Sequence, residues 1–175
     1  RTMAPKYKIL FLCFNKPLAR YIRYSFKGFN QKLYIHNIHQ WVSTMKRGLD
    51  HPKDKSLDLD QEIETVVSEV KNDDKKYDVI IIDEAQDFSD EWMISIEQML
   101  RKNGKFYVFY DQQQSIFERK SQYFLKEKFS HLELEENFRN TKQIFELFKS
   151  FNKQTKYSSR GVIGSKPEFI VVRNY

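Results

Sequence analysis

The chain has 175 residues and a mass of 21.2 kDa, enough for one domain or part of a larger one. Its 40% hydrophobic and 15% aromatic content excludes a disordered chain, and five Gly with four Pro exclude collagen-like or linker sequence. The single cysteine excludes an intramolecular disulfide and a multi-cysteine zinc site. The net charge of +6 is unevenly spread: +9 over residues 1–50, −10 over 51–100, +3 over 101–150 and +4 over 151–175. A basic first block followed by an acidic one points to a polyanion partner for the first, or to an ordinary solvated surface. No apolar run is long enough to span a bilayer, and no signal peptide is visible, although the chain begins at Arg1.

In chain order, Tyr7–Phe14 is a nearly continuous apolar run, as expected for a buried parallel strand. Asn15 and Pro17 open a helix with an apolar stripe of Leu18, Ile22 and Phe26, and with Arg20, Arg23 and Lys27 on another face. Leu33–Ile38 is a second strand, with Trp41 in the helix or turn after it. His51–Leu59 is a loop, Leu59–Val70 a helix and Lys71–Lys76 a charged turn. Val79–Ile82, four β-branched residues, forms a buried strand with Asp83 at its tip. Ser89 caps a helix through Arg101 with Trp92, Met93, Ile96 and Leu100 inward, stopped by Asn103-Gly104. Phe106–Tyr110 is a strand ending in Asp111, and Leu132–Leu134 is a further short strand. Thr141–Phe151 is a helix with Ile144, Phe145, Phe148 and Phe151 inward, and Phe169–Val172 is a last strand.

Alternating strands and helices predict an α/β fold with a mainly parallel sheet. Ligands of such sheets bind at the carboxyl ends of the strands, where Asp83, Glu84 and Asp111 fall. A strand that delivers two adjacent carboxylates to one place suits nucleotide hydrolysis. One acid can hold Mg²⁺ through water and the other can polarise the attacking water. An acidic strand exit of no catalytic use has the same local form. His36 and His39 lack partners at zinc spacing, and Cys13 in an apolar strand reads as a small buried hydrophobe.

The longer string Asp83-Glu84-Ala85-Gln86-Asp87 resembles the Walker B motif of UvrD/Rep-like superfamily 1 DNA helicases. Asp111-Gln112-Gln113-Gln114-Ser115-Ile116-Phe117 resembles motif III, and Asn137-Phe138-Arg139-Asn140 resembles motif IV. Upstream, Leu12-Cys13-Phe14-Asn15-Lys16-Pro17-Leu18-Ala19 is similar to motif Ia, and Asn37-Ile38-His39 to motif Ib. The form of motif Ia is most similar to a branch of these helicases associated with nuclease-related domains. The similarity runs through most of residues 9–151.

The resemblance implies an incomplete parallel-sheet, RecA-like P-loop NTPase domain. Residues 1–136 would be part of the first RecA-like domain, and residues 137–175 motif IV and the start of the second. It implies ATP and Mg²⁺ as cofactors and single-stranded DNA, or RNA, as partner, in a cytoplasmic protein with no membrane association. Asp83 would support Mg²⁺ and Glu84 would be the general base. Gln86 and Asp87 would link the nucleotide site to the DNA-facing loops, with Asp111 beside the nucleotide. Gln114 would sense the γ-phosphate, and Arg139 would stabilise its developing charge. Phe14, Asn15, Lys16, Arg20 and His39 would lie along the strand of DNA. Phe14 as plain core and His39 as a structural histidine are the alternatives.

The sequence departs from the family in one large respect: it holds no Gly-x-x-x-x-Gly-Lys-Ser/Thr phosphate loop. In the family that loop comes just before motif Ia. The expectation is therefore truncation, with the strand, loop and helix that precede Arg1 missing, motifs V and VI beyond Tyr175 missing, and this chain alone inactive. Cys13, Asn15-Lys16, Tyr110 and Arg119 also differ from the usual family residues. One alternative is an ATP-independent nucleic-acid-binding module derived from a helicase. Another is a regulatory ATPase without unwinding activity. Segment 42–78 leaves no room for a large inserted domain.

Overall fold

The computed structural model describes residues 7–29, 32–50, 56–111, 123, 129–134, 136–137, 139–151 and 158–168. The chain forms two compact units, residues 1–129 and 130–175. The first unit is α/β. Its strands β1 (Lys8–Cys13), β2 (Lys32–Asn37), β3 (Tyr77–Ile82) and β4 (Leu100–Val108) form one sheet in the order β2-β1-β3-β4, every pair parallel. Parallel neighbours need crossover connections. Helix α1 (Lys16–Ser25) joins β1 to β2. Helices α2 (Ile38–Gly48) and α3 (Leu59–Ser68) lie between β2 and β3, and α4 (Asp90–Glu97) joins β3 to β4.

Side-chain alternation along the strands divides the core in two. Leu10, Leu12, Ile80 and Ile82 face the side covered by α2, α3 and α4, where Trp41, Ile63, Val66, Phe88, Met93 and Ile96 complete the main core. Cys13 and Ile35 belong to a smaller cluster with Ala19 of α1, against which Phe11, Leu18, Ile22 and Leu33 pack. Towards β4 this second face is more open: Val79 and Ile81 are half-buried, while Tyr107 and Phe109 are 47% and 53% exposed. Among the described residues β4 is paired only on its β3 side.

The helices begin where side chains can satisfy the first free backbone N–H groups. Asn15 accepts from Leu18 N, Asn37 from Gln40 N, Asp58 from Gln61 N and Ser89 from Trp92 N. Asp58 and Gln61 form a reciprocal capping box.

The Ser89-capped helix ends at Glu97, not Arg101, and Leu100 opens a strand rather than closing a helix face. Met99 O accepts from Tyr77 N at 2.9 Å and Leu100 pairs with Tyr77, so the sheet has captured the backbone by then. Asn103-Gly104, expected to stop a helix, lies inside β4. Asn103 has φ 64°, and the register shifts between Tyr77 and Val79. A Cβ at Gly104 would lie 2.9 Å from Leu100 Cδ2, 3.0 Å from Arg101 O and 3.2 Å from Asp78 O, so a side chain there would fit only if these neighbours shifted.

The second unit holds β5 (Glu136–Asn137) and β6 (Ser158–Ser159), a short parallel pair, and helix α5 (Lys142–Phe151). Leu132–Leu134, expected as a strand, is not one: Leu132 and Leu134 are 88% and 76% exposed, and pairing starts only at Glu136. The expected inward row of α5 also fails. Phe145 is buried, but Ile144, Phe148 and Phe151 are exposed, so only one position of the row is covered. Phe26, expected in the α1 stripe, is the C-cap and 48% exposed. The expected strand Phe169–Val172 lies outside the described residues. Among the described residues no helix is long and apolar enough to cross a membrane.

Candidate functional site

The carboxyl ends of β1, β3 and β4 converge in one hydrogen-bonded group. Asp83 N donates to Leu12 O at 2.9 Å, and Phe109 N donates to Ile82 O at 2.8 Å, which extends the ladder past the strands. Ala85 N then donates to Phe109 O at 3.0 Å. Asp83 and Glu84 therefore leave a backbone tied on both sides, as a precise site requires.

Glu84 takes a left-handed conformation, φ 53° and ψ 47°. A non-glycine residue there is uncommon and costs conformational energy, and such residues gather at functional sites. The bend folds Glu84 back over its neighbours: its N–H donates to Asp83 Oδ1 at 3.0 Å, and its Oε2 accepts from Gln86 Nε2 at 2.6 Å. Gln86, 5% exposed, uses its other amide atom as well, Oε1 accepting from Asp111 N at 3.1 Å. One buried carboxamide thus joins the loop after β3 to the loop after β4.

The electrostatics of this edge favour a cation. Burial pushes the Asp83 carboxyl above its ordinary range, outweighing the Glu84 N–H, and the charge of Glu84 pushes it further. Asp87 is raised in the same way, by burial and then by Glu84. Burial and the Asp83 charge together push the Cys13 thiol up to about 11, so the buried Cys13 stays protonated. Among the described residues no cluster of three or more His, Cys, Asp or Glu is placed to enclose a metal. Mg²⁺ does not require one, since it keeps several waters and is held by one or two carboxylates with substrate phosphates. Asp83, desolvated and beside a second carboxylate, fits that mode. A triphosphate has no Gly-Lys-Ser/Thr cradle anywhere in the sequence.

Next to this group is an open cleft of about 380 Å³ lined by Phe14, His39, Asp58, Leu59, Asp60, Asp87 and Trp92. The Phe14 and His39 rings stand 6.1 Å apart, tilted by 60°. Phe14 is half-buried and packs against the main core, so it is both core and cleft wall; His39 is exposed. Asn15 is occupied as the cap of α1, and Lys16 and Arg20 are exposed on that helix. Burial and then the charge of Arg23 lower the half-buried His36.

The structure thus brings Asp83, Glu84, Gln86 and Asp111 into one bonded group, and Phe14, His39 and Asp87 into the neighbouring cleft. Arg139 is exposed and belongs to the second unit. Gln114 lies outside the described residues. Sequence reasoning missed Asp58, Asp60 and Trp92 as cleft walls; Trp92 Nε1 donates to Asp60 Oδ1 at 2.6 Å. An acid two residues after an N-cap carries no signal of that contact, which only the packing of α3 on α4 creates. A scan against protein-family models finds no match to the chain, and a search of characterised proteins finds none either.

Proposed function

We propose that these residues belong to an ATP-dependent helicase or translocase of the UvrD/Rep-like kind, acting on single-stranded DNA, within a P-loop NTPase domain of RecA type. What supports the reading above all is the Glu84–Gln86–Asp111 bridge, with Asp87, one residue on, in the Phe14–His39 cleft. Such an arrangement couples two sites: a shift of Glu84 pulls the loop after β4 and the wall of the cleft together.

In this reading Asp83 would hold Mg²⁺. When bound, the ion neutralises charge on the phosphates. Glu84 accepts the proton of the attacking water at Oε1, because Oε2 is engaged by Gln86. Gln114 and Arg139 take the γ-phosphate roles the resemblance implies. Phe14 and His39 receive a base of the single strand. The phosphate loop must come from outside these 175 residues. The edge of β4 that is unpaired among the described residues, and the exposed Tyr107 and Phe109, are where an additional strand and helix would find partners.

The test is ATP turnover, with and without single-stranded DNA, by a polypeptide that joins a phosphate loop to these residues. Turnover stimulated by DNA and lost in Glu84→Gln, with strand displacement, is expected. The 175-residue chain alone should not turn over ATP. ATPase activity without displacement would sink the helicase assignment, and turnover by the isolated chain that Glu84→Gln abolishes would overturn its need for the loop.

A further inference from the structure

Helix α1 turns Leu18, Ala19 and Ile22 toward the sheet. Its outward side carries Lys16, Arg20, Tyr21 and Tyr24, and the turn after it adds Phe26, Lys27 and Phe29. Tyr21 and Tyr24 are 69% and 77% exposed. Phe26 and Phe29 are about half exposed and meet edge to face, with ring centroids 5.7 Å apart across a turn in which Gly28 has φ 93°. Helical spacing sets Lys16, Arg20 and Tyr24 in one i, i+4 row, with Tyr21 one turn from Tyr24. Neighbours in such rows are about 5–6 Å apart at Cβ.

This surface is unusual in two ways. It has no acidic counterpart of its own, since no Asp or Glu occurs before Asp50, and among the described residues Lys16, Arg20 and Lys27 form no ion pair. Arg23 is excluded because its guanidinium donates to Ile35 O at 2.6 Å and to Gln40 Oε1, which anchors α1 to its neighbours. The surface also exposes four rings among the cations. Cations alone would suit any polyanion. Flat rings interleaved with cations suit one whose units carry both a phosphate and an uncovered aromatic face. Single-stranded nucleic acid has that chemistry, and a duplex keeps its bases stacked on each other.

We propose that the outward face of α1 is a second track for single-stranded nucleic acid. Bases stack on Tyr21 and Tyr24, and Lys16, Arg20 and Lys27 neutralise the phosphates. The track rests on the nucleic-acid reading above, but it uses rings that the cleft does not.

The test is fluorescence anisotropy of labelled single-stranded oligonucleotides with the full chain, its Tyr21→Ala/Tyr24→Ala variant, the matching double Phe variant and, separately, Phe14→Ala. Both tyrosines are exposed, so the fold does not depend on them. The Ala pair should bind about ten-fold or more weakly, and the Phe pair, which keeps the rings, like the unaltered chain. Lys27→Gln should lower the salt slope by about one counterion or less. Unchanged affinity of the Ala pair, with loss in Phe14→Ala, overturns the track and leaves the cleft standing. An unaltered chain that binds no single strand overturns both. Duplex binding equal to single-strand binding and equally dependent on the tyrosines overturns the track. So does tyrosine-dependent binding to phosphatidylserine vesicles with oligonucleotide binding unaffected.

Discussion

Gln86 holds Glu84 through a 2.6 Å hydrogen bond from Nε2 to Oε2, and the same carboxamide accepts from the backbone of Asp111. Both contacts are made by a side chain that is almost fully buried, so neither is readily replaced by water. Gln86→Leu keeps much of the volume and removes both contacts. It should cost about 1–3 kcal/mol, the range for leaving buried polar groups without their partner. Urea unfolding followed by the fluorescence of the buried Trp41 and Trp92 measures this. Gln86→Glu should be worse at neutral pH than at acid pH, because it sets a second carboxylate against Glu84. A midpoint unmoved in both variants would show that the bridge contributes nothing to stability.

How much of this was legible in the sequence depends on the kind of signal. The runs around Leu10–Leu12 and Ile80–Ile82 identify central parallel strands because Leu10, Leu12, Ile80 and Ile82 are fully buried on one face and Ile9, Phe11, Val79 and Ile81 are half-buried on the other. The acids after β3 and β4 then fall at the ligand-binding edge by topology alone. The left-handed bend at Glu84 was not legible, since nothing in a Glu codon position marks a positive φ. Nor was the cleft, whose walls come from β1, α2, α3 and α4. The Phe-rich α5 misleads in the opposite direction: helical periodicity predicts an inward face, but a face is buried only where a partner surface exists.

Asp83 supplies a pH signature. Its folded-state carboxyl is raised by burial and by Glu84, so between the ordinary carboxyl range and that raised value the native state binds more protons than the unfolded state. Stability from this group is therefore greatest at acid pH and is lost as pH rises through the raised value. Asp83→Asn should raise the melting temperature at neutral pH and flatten that part of the pH profile, with little gain at pH 3. Thermal melts of both proteins from pH 3 to pH 8 measure it. A lower melting temperature for the variant at neutral pH contradicts the sign.

Trp92 and Asp60 bind α4 to the start of α3 through the 2.6 Å bond from Nε1 to Oδ1. Trp92 is only 4% exposed, so its indole N–H loses a partner that solvent does not easily replace. Asp60→Ala should cost about 1–3 kcal/mol, against about 1 kcal/mol for removing the neighbouring helix cap in Asp58→Ala. Denaturant midpoints rank the two. The near-ultraviolet circular dichroism of tryptophan should change in the first variant and not in the second. Equal costs with unchanged dichroism would mean that Asp60 acts only through helix charge.

Lys46 and Glu62 make the corresponding link between α2 and α3, 2.5 Å from Nζ to Oε1. The partners are unequally placed: the Lys46 side chain is 9% exposed and that of Glu62 27%. Removing the acid leaves an ammonium group mostly surrounded by protein, whereas replacing the lysine by an apolar residue removes the need for the pair. Glu62→Ala should therefore cost roughly 1–3 kcal/mol, less than a fully buried pair would because Glu62 keeps some solvent. Lys46→Met should stay within about 1 kcal/mol of the unaltered chain, since its stem already packs as hydrocarbon. The double variant should resemble Lys46→Met alone, because once Lys46 is replaced the Glu62 carboxylate reaches solvent and its removal changes little. Urea titrations of the three variants complete the cycle. A larger loss in Lys46→Met than in Glu62→Ala would make the pair a net source of stability and not a device for keeping a buried lysine satisfied.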